Sequence, residues 1–394
     1  MTPSAGFQPP PYPYHRLRDA ERLARSHEGG MVDCSVGTPC DPPPAFVLEA
    51  MAASGTERGY PESAGSLVLR NAAGGWIERR FGVIIGPEAI SACVGTKEFV
   101  ASVCQYLHLR DPDHDVVLYP AVSYPTYAMG ALLAGCRPVA VPPVTPEGSG
   151  LALDRVDPAD AERALLLWVN SPSNPTGGLS DLAEAAAWGR ALHVPVLSDE
   201  CYSEYTWSGR PRSILEHGPE GVLAVHSLSK RSNLAGVRAG FYAGDPELVT
   251  YLTDLRRHAG LMVPGPVQAA AAAALGDDVH VTEQRVRYHE RLEFLAHMFS
   301  SAGYPTELPA GGFYLWVAAP ARVGDGWALT EDLARAGGLL VSPGEFFGPA
   351  GANFVRVAAV QPMERLRLVA GRLANAGRLA GFRWAGAGGS LSAS

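Results

Sequence analysis

Two of the chain's 32 basic residues are lysines; the others are arginines. One lysine, Lys230, stands in the string His226-Ser227-Leu228-Ser229-Lys230-Arg231-Ser232-Asn233-Leu234-Ala235-Gly236-Val237-Arg238. A guanidinium stays protonated, whereas an ammonium can lose its proton and attack a carbonyl. In a chain that otherwise uses arginine for its cations, Lys230 is the candidate covalent group. Around it Ser227 and Ser229 offer hydroxyls and Arg238 a guanidinium, a set suited to phosphate, which arginine grips bidentately. Gly95-Thr96-Lys97-Glu98 opens a helix-like stretch. Free N–H groups and the helix dipole favour an anion there, although Gly-Thr is also an ordinary helix start. Ser198-Asp199-Glu200-Cys201-Tyr202 ends an apolar run. Asp199 could cap a helix, or as a buried carboxylate it could hold a positive charge. Tyr202, three residues on, shares its side if a helical turn begins here. Asn170-Ser171-Pro172-Ser173-Asn174-Pro175-Thr176-Gly177 reads as a turn, and it also offers Asn174 as a hydrogen-bond donor.

One small molecule needs all these groups: a phosphorylated aromatic aldehyde with a basic ring nitrogen. Pyridoxal 5′-phosphate fits. Lys230 supplies the amine that condenses with the aldehyde, Asp199 keeps the ring nitrogen protonated, and Asn174 and Tyr202 bind the ring hydroxyl. Thr96, Ser227, Ser229, Arg238 and the N–H groups of Gly95, Thr96 and Lys97 hold the phosphate. Tyr124, in Ser123-Tyr124-Pro125-Thr126-Tyr127, would stack on the ring as a lid.

The elements that must position these residues follow from the apolar pattern. Short apolar runs at Val116–Leu118, Ala164–Val169, Val194–Leu197, Val222–Val225 and Ala239–Ala243 alternate with helix-like stretches. Buried strands spaced by helices predict an α/β domain with a mostly parallel sheet covered on both faces. Ligands gather at the carboxyl ends of such strands, and here Asn170, Asp199 and Ser227 each follow a run. Ser180 is the expected N-cap of a helix over 181–193. Before the sheet, a Pro-rich arm precedes a helix over 16–27. From Gln268 the pattern becomes α+β, with helices over 268–275, 279–301 and 329–336 and strands over 312–317 and 354–358.

The bulk numbers narrow the function classes. A chain of 394 residues, 47% apolar and 18% charged, suits a two-domain globular enzyme. A net charge of −8 without any basic block argues against a nucleic-acid surface. No apolar run reaches membrane-span length. The six cysteines are scattered without a Cys-x-x-Cys, which reads as reduced thiols in a cytoplasmic protein. The dispersed histidines give no metal motif, so no metal is expected.

Asn174-Pro175-Thr176-Gly177, Ser198-Asp199-Glu200-x-Tyr202, Ser227-x-Ser229-Lys230-x-x-x-Leu234-Ala235-Gly236-x-Arg238 and the late Val355-Arg356-Val357 occur together and in this order. With them, the chain resembles the fold-type I pyridoxal-phosphate enzymes of the class I/II aminotransferases, from about Val36 to Arg372. The resemblance implies an aspartate aminotransferase-like fold and a homodimer whose active site lies between a large and a small domain. On that basis 1–44 form an arm and part of the small domain, 45–265 the large domain and 266–380 the rest of the small one; 381–394 form a disordered tail. It implies that Arg356 grips the substrate α-carboxylate, that Gly37 lines the same pocket, and that Tyr60 reaches the cofactor phosphate of the other subunit. Substrates would be an amino acid and a 2-oxo acid, exchanged by ping-pong kinetics.

Asp33-Cys34-Ser35-Val36-Gly37-Thr38-Pro39 and Arg257-His258-Ala259-Gly260-Leu261-Met262-Val263-Pro264 are further similar to the actinobacterial-type succinyldiaminopimelate transaminases. That likeness implies glutamate and N-succinyl-2-oxo-6-aminopimelate, in lysine biosynthesis. The chain departs from it at Tyr12-Pro13-Tyr14-His15, where Phe-Pro-Trp-Asp is usual, and at Val360-Gln361-Pro362, where a Thr-rich segment is usual. Both departures bear on the substrate. A transaminase of another amino acid or natural product, and a lyase or oxidase with the same cofactor shell, remain alternatives. Arg16, Arg70, Arg256 and Arg257 are the candidates for a distal substrate carboxylate.

Overall fold

The computed structural model describes residues 6–145, 148–379 and 384. Its strands, in chain order, are β1 (Val32–Asp33), β2 (Ile90–Cys93), β3 (Val116–Pro120), β4 (Arg137–Val141), β5 (Ala164–Asn170), β6 (Val196–Asp199), β7 (Val222–Ser227), β8 (Gly240–Gly244), β9 (Tyr314–Ala318), β10 (Leu339–Leu340), β11 (Ser342–Pro343) and β12 (Phe354–Ala358). The main sheet runs β2-β8-β7-β6-β5-β3-β4. Its pairs are parallel from β7 to β4, and β8 is antiparallel to both its neighbours.

β5 is buried along its whole length because both faces of the sheet are covered. Leu165, Leu166 and Trp168 meet Phe99, Val103 and Leu107 of the helix Thr96–Arg110 in one core. Ala164, Leu167 and Val169 join the other core, with Ala185 and Ala186 of the helix Leu182–Leu192. That helix is capped by Asp181, not by the expected Ser180. The Asp181 carboxylate accepts from the N–H of Glu184 at 2.9 Å and meets the positive end of the helix dipole. β2 and β4 were not anticipated. β2 is only four residues long, and β4 is an exposed edge strand interrupted by Pro138, so neither leaves a clean apolar run.

The second unit has an antiparallel sheet, β11-β12-β9, with Arg356 opposite Trp316. β1 pairs in parallel with β10, so the first ordered strand joins the carboxyl-terminal half. Val32 and Cys34 share a core with Leu292, Phe299, Leu333 and Val369. The change from one core to the other falls later than residue 266. Ala270, Ala271, Ala274 and Leu275 of the helix Gly265–Leu275 pack into the main-sheet core. Within the following helix, Val279–Ser301, residues 292–299 belong to the second core. The tail expected to be disordered lies outside the described residues apart from Trp384, whose ring meets Phe294 edge-on at 5.5 Å.

Candidate active site

β5, β6 and β7 are adjacent, and their carboxyl ends bring Asn170, Asp199 and Ser227 to one edge of the sheet. A cavity of about 360 Å³ opens there. Of the residues singled out in the sequence, Gly37, Thr96, Lys97, Tyr124, Asn174, Asp199, Tyr202, Ser227, Ser229, Lys230, Arg238 and Arg356 line it.

Lys230 lies on a short helix, Leu228–Arg231, directly after β7. Tyr205 donates to its carbonyl at 2.7 Å, and its Nζ donates to the carbonyl of Gly37. Burial, together with the nearby charges of Arg356 and Arg238, brings the Lys230 pKa down to about 8. Asp199 is buried, and its carboxylate accepts from the Tyr127 hydroxyl at 2.8 Å and the Cys201 N–H at 3.2 Å. Burial pushes this carboxyl up, against the pull of those two hydrogen bonds. It therefore sits in the cavity wall with neutral partners, where a cation would be welcome.

Gly95 precedes the helix Thr96–Arg110 and gives it no side-chain cap, so the first N–H groups lack a side-chain partner. Its φ of +74° suits glycine, and a Cβ there would stand 2.2 Å from Nη2 of Arg238. Gly95 thus lets the guanidinium close on the helix end. Ser227 and Ser229 face the same cavity, which completes an anion cradle.

At the other side Arg356 is clamped between the rings of Tyr314 and Phe347, at 4.3 and 4.5 Å from their centroids. Its Nη1 donates to Asn174 Oδ1 at 2.7 Å, and Asn174 is itself held by Asn170 Oδ1, which accepts from its N–H at 2.7 Å. The hydroxyls of Tyr202 and Tyr314 lie 2.8 Å apart. A Cβ on Gly37 would stand 2.0 Å from the Tyr314 hydroxyl, so the position admits only glycine.

The model for the aminotransferase class I and II family matches residues 30–373. The chain belongs to the class I and II aminotransferases. This aminotransferase is 42% identical to a probable aminotransferase of Mycobacterium tuberculosis, over 92% of this chain and 85% of that one. It is 40% identical to the 4-dedimethylamino-4-oxo-anhydrotetracycline transaminase of Streptomyces rimosus, over 92% of this chain and 99% of that one. Among solved structures, the probable N-succinyldiaminopimelate aminotransferase of Thermus thermophilus superposes with a TM-score of 0.82 at 31% identity, covering 93% of this chain and all of that one.

Enzymes of this family depend on pyridoxal phosphate, and the residues of this chain fit it. A lone buried carboxylate, a depressed lysine and an anion cradle surround one cavity. Tyr60, by contrast, is 97% exposed and does not line its own subunit's cavity. None of Arg16, Arg70, Arg256 and Arg257 lines it either. Arg256 is paired bidentately with Glu98 at 2.7 Å, and Arg70 donates to the carbonyls of Gly65 and Pro87. Arg16 pairs with Glu345, and Arg257 pairs with Asp254 on the same helix. Besides Lys230, Arg238 and Arg356, the cationic residue that borders the cavity is Lys97, the chain's other lysine. Sequence reasoning also missed Tyr12, Tyr14, Cys201 and Tyr314, which line the cavity, and Tyr127 behind Asp199.

Proposed function

We propose that this aminotransferase moves the amino group of glutamate to a 2-oxo acid that carries further carboxylates, with N-succinyl-2-oxo-6-aminopimelate as the acceptor. The observation that carries the reading is Lys97. Lys97 borders the cavity that also holds Arg356, its exposed side chain places the ammonium 5.8 Å from the centroid of the cavity-lining Tyr12 ring, and among the described residues it has no carboxylate partner. An α-carboxylate on Arg356 and a second carboxylate on Lys97 would neutralise both cations. The likeness to the Thermus N-succinyldiaminopimelate aminotransferase supports the same acceptor class.

Pyridoxal phosphate, when bound, supplies the electron sink and carries the amino group between the two substrates. Lys230 Nζ, with a pKa near 8, takes the proton from substrate Cα and returns it to the cofactor side. Positioned proton transfer of this kind contributes about 10²–10⁴-fold. Of the cavity-lining residues, Asp199 would hold the ring-nitrogen proton, Asn174 and Tyr202 would bind the ring hydroxyl, and Tyr124 would cover the ring. Thr96, Ser227, Ser229 and Arg238 would hold the phosphate with the N–H groups of Thr96 and Lys97; the Gly95 N–H, expected to join them, instead donates to the Cys93 carbonyl at 2.8 Å. Arg356 would bind the α-carboxylate beside Gly37. The working unit is a homodimer. Tyr60 is exposed with Leu67 and Val68, an apolar surface suited to a second copy, and Tyr60 of each subunit completes the other's phosphate site.

A second reading is favoured by the ring of tyrosines at 12, 14, 124, 202 and 314 around the cavity. These would suit an aromatic ring ketone, as in the name of the Streptomyces relative. The test is the absorbance of the purified enzyme before and after L-glutamate, followed by a panel of acceptors. Conversion to the aminated cofactor, reversed fastest by the succinylated oxo acid, is expected. Reversal only by aromatic ketones would favour the second reading, and no response to any amino donor would refute transamination.

A further inference from the structure

The N-terminal arm carries a substrate contact. Resting on the reading of Arg356 as the carboxylate site, we infer that Tyr14 is a substrate-binding residue whose phenol donates a hydrogen bond to the carboxylate held by Arg356.

The hydrogen-bond accounting around the guanidinium leads there. Arg356 Nη2 donates to the Ser35 carbonyl at 2.6 Å and to the Tyr14 hydroxyl at 3.2 Å. Because arginine has no acceptor, the Tyr14 oxygen must be the acceptor of that bond, and its own proton is left to find a partner. The neighbouring protein oxygen is Ser342 Oγ, 3.4 Å away. That distance lies beyond the usual range for a bond between hydroxyls. Ser342 in turn gives its single proton to the Ser35 carbonyl at 2.7 Å. The Tyr14 O–H is thus a donor without a good acceptor, on a side chain that lines the cavity. Beside it, the buried Nε of Arg356 also lacks a partner. The Tyr14 proton is thus the donor left over for a carboxylate that reaches Arg356 through the cavity.

The ring is fixed well enough to aim the hydroxyl. Tyr14 lies in the short helical turn Pro13–Leu17, with its ring tilted against Phe346 at 5.2 Å and stacked on Tyr12 at 5.4 Å. Arg16, two residues on, ties the arm to Glu345 at 3.2 Å and covers the ring of Trp327 at 4.6 Å. Both substrates present the same carboxylate to Arg356, so Tyr14 serves both halves of the reaction.

The test uses the holoenzyme and maleate, a dicarboxylate with no amino group to transfer. Its Kd is read from the cofactor absorbance, alongside KM and kcat for glutamate in steady-state turnover with the best acceptor of the panel. In Tyr14→Phe the ring packing stays and only the hydroxyl is lost. The expected result is a Kd for maleate and a KM for glutamate raised about tenfold or more, with kcat within about twofold and an unchanged cofactor band. Values of Kd and KM within twofold of the parent would overturn the assignment. Arg16→Ala separates substrate contact from arm anchoring. It keeps the Tyr14 hydroxyl and only loosens the arm that aims it, so a rise in the maleate Kd smaller than that in Tyr14→Phe is expected, whereas an equal or larger weakening in Arg16→Ala would overturn a direct contact. If the parent protein never converts its cofactor with any amino acid, transamination fails as a reading, yet maleate binding still decides the role of Tyr14.

Discussion

Replacing Asp199 by alanine separates holding the cofactor from activating it. Asp199 is a buried carboxylate whose partners are the Tyr127 hydroxyl and the Cys201 N–H. Neither is charged, so with pyridoxal phosphate bound the protonated ring nitrogen would be the cation that balances it. Breaking a buried ion pair by removing one partner costs about 3–5 kcal/mol. At about 1.4 kcal/mol per decade, that cost corresponds to a slowing of roughly 10²–10³·⁵-fold if the pair is needed mainly in the transition state. The phosphate cradle is built from other segments, the helix start at 95–97 and the 227–238 stretch, and it survives the change. The expected variant therefore retains the cofactor and reacts slowly. The assay is the first half-reaction with glutamate, followed by absorbance in a stopped-flow cell, with retained cofactor measured after gel filtration. A rate within tenfold of the parent would refute the pairing. Complete loss of cofactor would show that Asp199 anchors the group instead of tuning it.

Cofactor uptake by the apoenzyme is predicted to speed up as pH rises and to level off above about 8, because only the neutral form of Lys230 attacks the aldehyde; a rate flat between pH 6.5 and 9 would argue against it. Lys230→Ala should lose the near-visible band and nearly all transamination, as the cofactor spectrum and glutamate turnover will show. In Gly95→Ala the new Cβ pushes Arg238 off the helix end, with cofactor affinity falling about tenfold in an equilibrium titration, a size typical of one charge-assisted bond. Burial lifts the Glu200 carboxyl to about 8, above its ordinary 4.5. The unfolded chain therefore releases this proton first, and the stability Glu200 contributes is lost as pH rises from about 4.5 to 8. His226, 3.5 Å away and pushed down to about 3 by burial, contributes the opposite slope below about 6.5. Glu200→Gln keeps an acceptor for the Ile214 N–H and should flatten the fall in Tm between pH 5 and 8; an unchanged slope would contradict this.

The cofactor half of the site was legible in the sequence because each part lies in a local segment with its own pattern. Asn174, Asp199 and Lys230 each follow an apolar run, and the parallel pairing of β5, β6 and β7 brings those ends side by side. The substrate half was less legible. Tyr14 and Tyr314 are separated by 300 residues, and each meets Arg356 through tertiary contacts that leave no local period. The departure at Tyr12-Pro13-Tyr14-His15 was the available signal, and it fell on residues that line the cavity. The distal cation was sought among arginines, but Arg70 and Arg256 are occupied by partners that sequence spacing does not reveal. Lys97 offers the cradle its N–H, and its side chain extends over the ring of Tyr12, at 5.8 Å from the centroid.

The parallel pairing of Val32 with Leu339 and Asp33 with Leu340 sets an order on assembly. During synthesis β3 to β8 emerge with neighbours close behind them, and β2 waits for β8, whereas β1 waits for a partner more than 300 residues downstream. Ser35 and Tyr14 wait equally for Arg356. A nascent chain can therefore build its phosphate cradle and Lys230 long before it has anything to grip a substrate. The vitamin-derived group can be captured first, and the amino-acid clamp is the last part of the molecule to close.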